Sequence, residues 1–114
     1  MPHTDRNAPW RKQMRDAMSA KERTALPRVE MPMQNAAQRV NNFNEVNIGL
    51  SPAQAQAEAS RCLDCPEPAC IQGCPVSIDI PSFIKNIQHG NIADAAAVLA
   101  AASALPAVCG RVCP

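Results

Sequence analysis

The spacing of apolar side chains predicts a buried helix in the C-terminal half of the chain. Asp79-Ile80-Pro81 is a typical helix start, and Gly90 is a typical helix end. Between them, apolar residues recur at i, i+3, i+4 and i+7, which is the spacing of one helix face. This apolar face consists of Ile80, Phe83, Ile84 and Ile87.

Two more helices are predicted on either side of this one. Ser51-Pro52-Ala53-Gln54 is a capping box with proline at the first helical position, and it predicts a helix that runs to about Arg61. After Gly90, we expect Asn91 to cap an Ala-rich helix over residues 92–103, which stops before Pro106. No segment alternates with period two for long enough to predict a strand, so the fold class is all-α.

Residues 1–34 differ from the rest because they are polar and interrupted by prolines. Pro9 suits the first turn of a helix whose apolar stripe is formed by Trp10, Met14, Ala17 and Met18. Residues 24–33 read as an extended linker. We therefore divide the chain into an N-terminal extension, residues 1–34, and a helical domain, residues 35–114.

Composition limits what this domain can be. The 114 residues suffice for one small domain, and the net charge of +1 offers no broad field for nucleic acid or an anionic membrane. No apolar run is long enough to span a membrane, and residues 1–12 lack a secretory signal. Only three aromatic residues are available for a core. We expect a cytoplasmic protein, where disulfides are rare, so that six cysteines point to a metal centre.

The cysteines follow the pattern C-x2-C-x4-C-x3-C-P and then C-x3-C-P. An iron–sulfur cluster needs several thiolates that converge on one compact core, and a short loop delivers them with little loss of chain entropy. In bacterial ferredoxins with a similar run, the cysteine before the proline binds the other cluster. By that logic Cys62, Cys65 and Cys70 hold one [4Fe–4S] cluster, and Cys74 turns toward a second.

Three other uses of the cysteines stay open. C-x2-C is also a zinc-knuckle spacing, although six cysteines in these steps fit a four-ligand site poorly. A disulfide scaffold would require export. Thiol redox catalysis through C-x2-C would require a βαβ context, which the sequence does not predict.

The cysteine segments, taken with their neighbours, resemble a known family. Residues 39–114 resemble the N-terminal iron–sulfur domain of the NADPH-dependent glutamate synthase small (beta) subunit, a domain that also opens dihydropyrimidine dehydrogenase. The segments that carry the resemblance cover about two-thirds of the chain and keep all six cysteines in register; they are residues 42–46, 58–65, 70–75, 78–81 and 105–114.

The resemblance implies a small helical ferredoxin-like domain with two [4Fe–4S] clusters, placed before an FAD- and NADPH-binding region. It implies that Cys62, Cys65 and Cys70 are ligands of one cluster, that Cys74 and Cys113 are ligands of the other, and that Cys109 is not a ligand.

The end of the chain departs from the family pattern. In the family, further cysteine ligands follow the second C-x3-C-P, whereas this sequence stops at Pro114. We therefore expect a C-terminally truncated domain in which the clusters are incomplete or absent, and about eight irons per chain would contradict that expectation. A single cluster that uses Cys109 as a substitute ligand stays open as an alternative. No G-x-G-x-x-G fingerprint occurs, so FAD, NADPH and substrate sites are expected only in the missing downstream region.

Two classes of function follow from these patterns. The first is an electron conduit, implied by the resemblance, which passes electrons between the downstream flavoprotein domain and a large catalytic subunit. The second is a structural or subunit-interaction domain, either apo or zinc-bound. In both, the chain lacks a catalytic residue of its own, and we expect neither nucleic acid nor a membrane as a partner.

Overall fold

The computed structural model describes residues 3–113 and arranges them as eight helices joined by connections of two to twelve residues. Met1, Pro2 and the Pro114 of the second cysteine motif lie outside the described residues. Within the described part there is no strand, only an isolated antiparallel bridge between Met33 and Asn47, so the all-α prediction is confirmed. The helices are α1 (Pro9–Asp16), α2 (Ala20–Ala25), α3 (Ala36–Arg39), α4 (Pro52–Ala59), α5 (Ala69–Gly73), α6 (Ile80–His89), α7 (Ile92–Ala102) and α8 (Pro106–Val112).

Local capping signals place α4 and α6 where the sequence predicts them. At the start of α4 the Ser51 hydroxyl accepts the Gln54 N–H, and the Gln54 side chain in turn accepts the Ser51 N–H. At the start of α6 the Asp79 carboxylate accepts the Ser82 N–H at 3.2 Å. Gly90 ends α6 with φ of 87°, a left-handed conformation that glycine adopts without steric cost.

The predicted Ala-rich helix is α7, which ends at Ala102, one residue before the predicted end. Asn91 occupies its N-cap position, but the Asn91 side chain makes no capping hydrogen bond, so that detail of the prediction is wrong. The helix stops before Pro106 as predicted, and Pro106 then starts a further helix, α8, which the sequence analysis does not predict. Within residues 3–113 no single helix is long and apolar enough to cross a membrane; α7 and α8 together pass that test by length and composition, but they are bent by 82°.

The N-terminal region is more ordered than a linker. The predicted helix at Pro9 is confirmed as α1, but it ends at Asp16, so Ala17 and Met18 of the predicted apolar stripe lie beyond it. A second helix, α2, follows a capping box in which the Ser19 hydroxyl accepts the Glu22 N–H and the Glu22 carboxylate accepts the Ser19 N–H. The predicted linker over residues 24–33 is therefore wrong at its start, since α2 continues to Ala25. The division of the chain at residue 34 stays a prediction.

The core of the described region is small and unusually polar. Its buried apolar residues are mostly small, and they are Ala8, Ala59, Ile78, Ala95 and Val98. The largest fully buried side chains are instead Lys85, Asn86, Asp64 and Ser82. Since buried polar groups must be paired, the folded state depends on a hydrogen-bonded network as much as on apolar contact.

Helix α6 packs against α4 and α7 and contributes much of this polar core. The residues that it buries are Pro81, Ser82, Lys85 and Asn86. The predicted apolar face, Ile80, Phe83, Ile84 and Ile87, is only half-buried. The prediction that this face is the buried side of the helix is therefore wrong. The same face lines the cavity that contains three of the cysteines.

Candidate metal centre

Three of the six cysteines line one cavity with a volume of about 600 Å³. They are Cys62, Cys65 and Cys70. The apolar face of α6 forms another part of the lining, through Ile80, Phe83, Ile84 and Ile87, with Leu50 and Leu63 beside them. The half-buried face of α6 thus serves the cysteine site rather than the interior of the helix bundle.

Short local structures bring these three thiols into the cavity. Helix α4 ends at Ala59, and the turn that follows is closed by a hydrogen bond from the Cys62 N–H to the Ala59 carbonyl at 3.2 Å. Cys65 lies in the loop between α4 and α5, and Cys70 lies on α5. The sequence-predicted trio for a first cluster is therefore assembled in one place.

Cys74 is at the C-terminal end of α5, outside the lining of that cavity. Its Sγ accepts the Ile78 N–H at 3.5 Å. The pKa of the Cys74 thiol is lowered by this N–H donor first, and by the N–H groups of Val76 and Ser77. The loop after Cys74 thus stabilises a thiolate, the form that binds iron.

The environment of Cys62 is different. Burial raises the pKa of the Cys62 thiol, and the Asp64 N–H and the Lys85 ammonium oppose that effect only in part. A thiol in such a place favours the protonated form until a metal displaces the proton.

Neither Cys109 nor Cys113 lines the cavity. Cys109 lies inside α8, where its Sγ is 3.4 Å from the Ser103 hydroxyl. Cys113 caps the end of α8 and is exposed. All six cysteines are free thiols in the described structure, and among residues 3–113 no three His, Cys, Asp or Glu side chains are placed to share one metal ion.

Three alternate carbonyls of the loop that carries Cys62 each accept a hydrogen bond from a cationic side chain. Arg23 donates to the Ser60 carbonyl at 2.7 Å. Lys85 donates to the Cys62 carbonyl at 2.8 Å, and Arg6 donates to the Asp64 carbonyl at 2.9 Å. Cationic side chains thus bond to three carbonyls of this loop, and their positive charges would stabilise a negatively charged cluster bound beside it.

The Asp64 carboxylate accepts hydrogen bonds from two further cationic side chains, those of Arg11 and Arg15. Arg11 donates to both carboxylate oxygens of Asp64, from Nη2 to Oδ1 at 2.7 Å and from Nε to Oδ2 at 3.0 Å. Arg15 adds a bond to Oδ2 at 2.7 Å. Burial opposes ionisation of Asp64, but the hydrogen bonds from Arg11 and Arg15 outweigh it and hold the pKa below its ordinary value.

Lys85 is fully buried, and its ammonium donates to Gln88 Oε1 at 2.9 Å as well as to Cys62. Burial lowers the pKa of Lys85 to about 8, which leaves the side chain mainly protonated at neutral pH. The sequence analysis missed Lys85, because a lysine among the polar positions of a predicted helix gives no periodic signal of a site. A signal was available for Arg11 and Arg15, since their i, i+4 spacing places both on one face of α1.

The described residues fit an iron–sulfur cluster better than a single metal ion. A cluster with several irons takes each thiolate at a different iron, so the thiolates need not meet at one point. Three thiols on a cavity with an apolar wall and buried cations nearby provide anionic ligands and charge compensation, with Cys62 half-buried and Cys65 and Cys70 exposed.

Comparisons with known proteins agree with this geometry. Residues 39–114 match the family model described as dihydropyrimidine dehydrogenase domain II, 4Fe-4S cluster. The chain is 43% identical over 81 residues to the putative oxidoreductase UacF of Escherichia coli K12, which covers 70% of this chain and 13% of that protein. It is 42% identical over 89 residues to the glutamate synthase [NADPH] small chain of the same organism, covering 78% and 19%.

A third relative is the NAD-dependent dihydropyrimidine dehydrogenase subunit PreT of Salmonella typhimurium LT2. It is 43% identical over 74 residues, which cover 65% of this chain and 18% of that protein. The chain thus spans less than one-fifth of the length of each of these three relatives.

Proposed function

The chain belongs to the 4Fe-4S family of dihydropyrimidine dehydrogenase domain II, and on that premise we propose that it is an electron-transfer domain of a longer NADPH- and FAD-dependent oxidoreductase. The observation that carries the proposal is the cavity shared by Cys62, Cys65 and Cys70. When bound there, a cluster supplies one-electron redox chemistry.

The residues around the cavity suit that task. The three thiols would hold the irons, and α6 contributes an apolar wall on one side of the cavity. Lys85 and Arg23 bring positive charge to the cysteine loop, which favours the more negative, reduced state of a bound cluster. No described group is needed as an acid or base, because electron transfer alone moves no proton.

For a second [4Fe–4S] cluster, we assign Cys74 and Cys113 as ligands that this chain contributes. The position of Cys74 outside the first cavity, with N–H donors around its sulfur, supports a separate role. Cys109 is left out of the assignment, as the family resemblance implies; its sulfur lies 3.4 Å from the Ser103 hydroxyl.

The wider reaction is proposed from the relatives. Their names join this kind of domain to NADPH-dependent glutamate synthesis and to dihydropyrimidine oxidation, and the chain spans a small part of each. We assign the flavin and nicotinamide sites to a downstream flavoprotein domain, the electron acceptor to a large catalytic subunit, and the location to the cytoplasm.

Anaerobic reconstitution with iron and sulfide tests the first site directly. Because this chain brings three thiols together only at the first site, we expect one cluster rather than two, with uptake of about four irons and four sulfides per chain and a visible absorbance that dithionite bleaches reversibly. Cys62→Ser, Cys65→Ser and Cys70→Ser should each abolish or strongly reduce that uptake, whereas Cys109→Ser, the matched control, should leave it unchanged.

Two outcomes would contradict the proposal. Uptake of zinc in place of iron, with the same dependence on Cys62, would favour a structural zinc domain. A reconstituted chain that shows no reversible redox signal in a titration would favour a structural or subunit-interaction role instead.

A further inference from the structure

The N-terminal region lies outside the family match, which begins at residue 39, yet it makes a buried contact with the cysteine loop. The pair formed by Arg11 and Asp64 joins residues 53 positions apart. Their side chains are 3% and 0% exposed. An ion pair removed from water to this degree is costly unless every partner is in place, so it marks a built contact rather than an incidental one.

Further bonds complete this contact. Arg11 also donates to the Ser82 hydroxyl at 2.8 Å, which ties α1 to the start of α6. Arg15 donates to Asp64, and Arg6 donates to the Asp64 carbonyl. Both Arg6 and Arg11 line a smaller cavity of about 180 Å³ whose lining also includes Cys65.

The backbone of Asp64 explains what this contact achieves. Asp64 has φ of 53°, in the left-handed region that side chains other than glycine rarely adopt. Such a conformation persists only where the surroundings hold it. Because Asp64 lies between Cys62 and Cys65, a relaxation of its backbone would change how those two thiols are placed relative to each other.

We propose that α1 is a positioning clamp for the Cys62 and Cys65 half of the cluster site, acting through Arg11 and Arg15 on the carboxylate of Asp64. The inference rests on the proposed function for the meaning of the site, but the geometry itself belongs to this chain. Arg11 and Arg15 are positioning residues: they hold the loop that presents the thiols and do not touch the metal.

A metal-free measurement tests the clamp without reference to the proposed function. The alkylation rate of each cysteine in the apo chain would be followed by mass spectrometry for wild type, Arg11→Met and the matched control Lys12→Met, whose lysine is exposed on the same helix. We expect alkylation of Cys62 to accelerate about tenfold in Arg11→Met, because the loop opens locally. Lys12→Met should match wild type, and Cys113 should react at the same rate in all three.

Hydrogen exchange on α7 shows whether the variant retains its fold, since Ala95 and Val98 are buried there. If Arg11→Met loses protection on α7, the decision passes to Arg15→Met, which removes two hydrogen bonds, to Asp64 Oδ2 and to the Arg6 carbonyl, from a side chain that is 17% exposed. An unchanged Cys62 rate in a folded variant overturns the clamp.

A second measurement uses the reconstituted chain. In Arg11→Met we expect the bound cluster to be lost to a chelator about tenfold faster and the electron paramagnetic resonance spectrum of its reduced state to change, with partial rescue in Arg11→Lys. A spectrum and loss rate identical to wild type would refute the clamp while leaving the proposed function intact. Failure of wild type to take up iron would refute the proposed function, while the alkylation result still decides the clamp.

Discussion

The buried ammonium of Lys85 donates a hydrogen bond to the carbonyl of Cys62 at 2.8 Å, across 23 residues of sequence. This bond links the polar face of α6 to the loop that delivers the first cysteine. The other face of the same helix is apolar, and its Phe83 and Ile84 line the cavity that contains the thiols. Helix α6 thus separates a polar interior from the cavity that Cys62, Cys65 and Cys70 line.

Replacement of Lys85 by methionine should therefore affect both the loop and a bound cluster. Lys85→Met removes a positive charge beside Cys62 and leaves its carbonyl without this donor. We expect the reduction potential to fall by tens of millivolts, since a tenfold change in a one-electron equilibrium corresponds to about 59 mV. Redox titration would measure the shift. Lys21→Met, at an exposed lysine of α2, is the control and should leave the potential unchanged.

The turn between α6 and α7 offers a test of backbone strain. Gly90 has φ of 87°, and a Cβ added there would lie 3.3 Å from Nε2 of Gln56. Gly90→Ala should lower the free energy of unfolding by about 1–2 kcal/mol, because alanine pays for the left-handed conformation. Urea denaturation would measure the loss.

Gly110→Ala is the matched control with the opposite expected sign. Gly110 lies inside α8, and a Cβ there would meet no other atom within 4 Å. Alanine should stabilise that helix by up to about 1 kcal/mol. A loss of stability at Gly110 equal to that at Gly90 would contradict the assignment of strain to the turn.

Glu58 links the N-terminal region to α4, because its Oε2 accepts the Val29 N–H at 2.8 Å and it also pairs with Arg61. The Val29 N–H first, and Arg61 with it, hold the pKa of Glu58 below its ordinary value despite partial burial. A carboxyl whose folded-state pKa is lowered contributes stability above its unfolded-state pKa of about 4.3, and this contribution is lost as pH falls through the folded value.

Glu58→Gln should therefore cost about 1 kcal/mol at pH 7, after allowance for its partial exposure, and less below about pH 4. Urea denaturation of wild type and variant across that pH range measures the difference. Glu30→Gln, at an exposed carboxylate in the preceding segment, should show little difference at any pH. A cost for Glu58→Gln that stays constant down to pH 3 would rule out the charge as its source.

The helices that the sequence predicts are those with strong local signals. Ser51 with Gln54, and Asp79 with Gly90, start and end their helices through contacts within a few residues. The capping box of Ser19 was equally readable and was overlooked. The grouping of Cys62, Cys65 and Cys70 also follows from local spacing, because all three lie within nine residues of sequence.

The polar network could not be predicted from the sequence in the same way. The pairing of Arg11 with Asp64 spans 53 residues, and that of Lys85 with Cys62 spans 23. Neither leaves a periodic signal, since a buried cation and an exposed one look alike in a hydropathy pattern. The apolar face of α6 has a related limit. Its pattern predicts that the face is shielded from water, but not whether it packs in the protein core or lines a cavity.

The two environments found for Cys62 and Cys74 predict different thiol acidities in the apo chain. N–H donors, that of Ile78 first, lower the pKa of Cys74, whereas burial raises the pKa of Cys62. Only the thiolate is alkylated, so the rate at Cys74 should rise and level off at lower pH than the rate at Cys62. Mass spectrometry of iodoacetamide adducts between about pH 6 and pH 10 would give both profiles, since the ordinary thiol pKa of about 8.5 lies within that range.

Coincident profiles would show that the loop after Cys74 is not folded around its sulfur. A lower apparent pKa at Cys62 would contradict its burial in the cavity, and with it the place of the first thiol in the site.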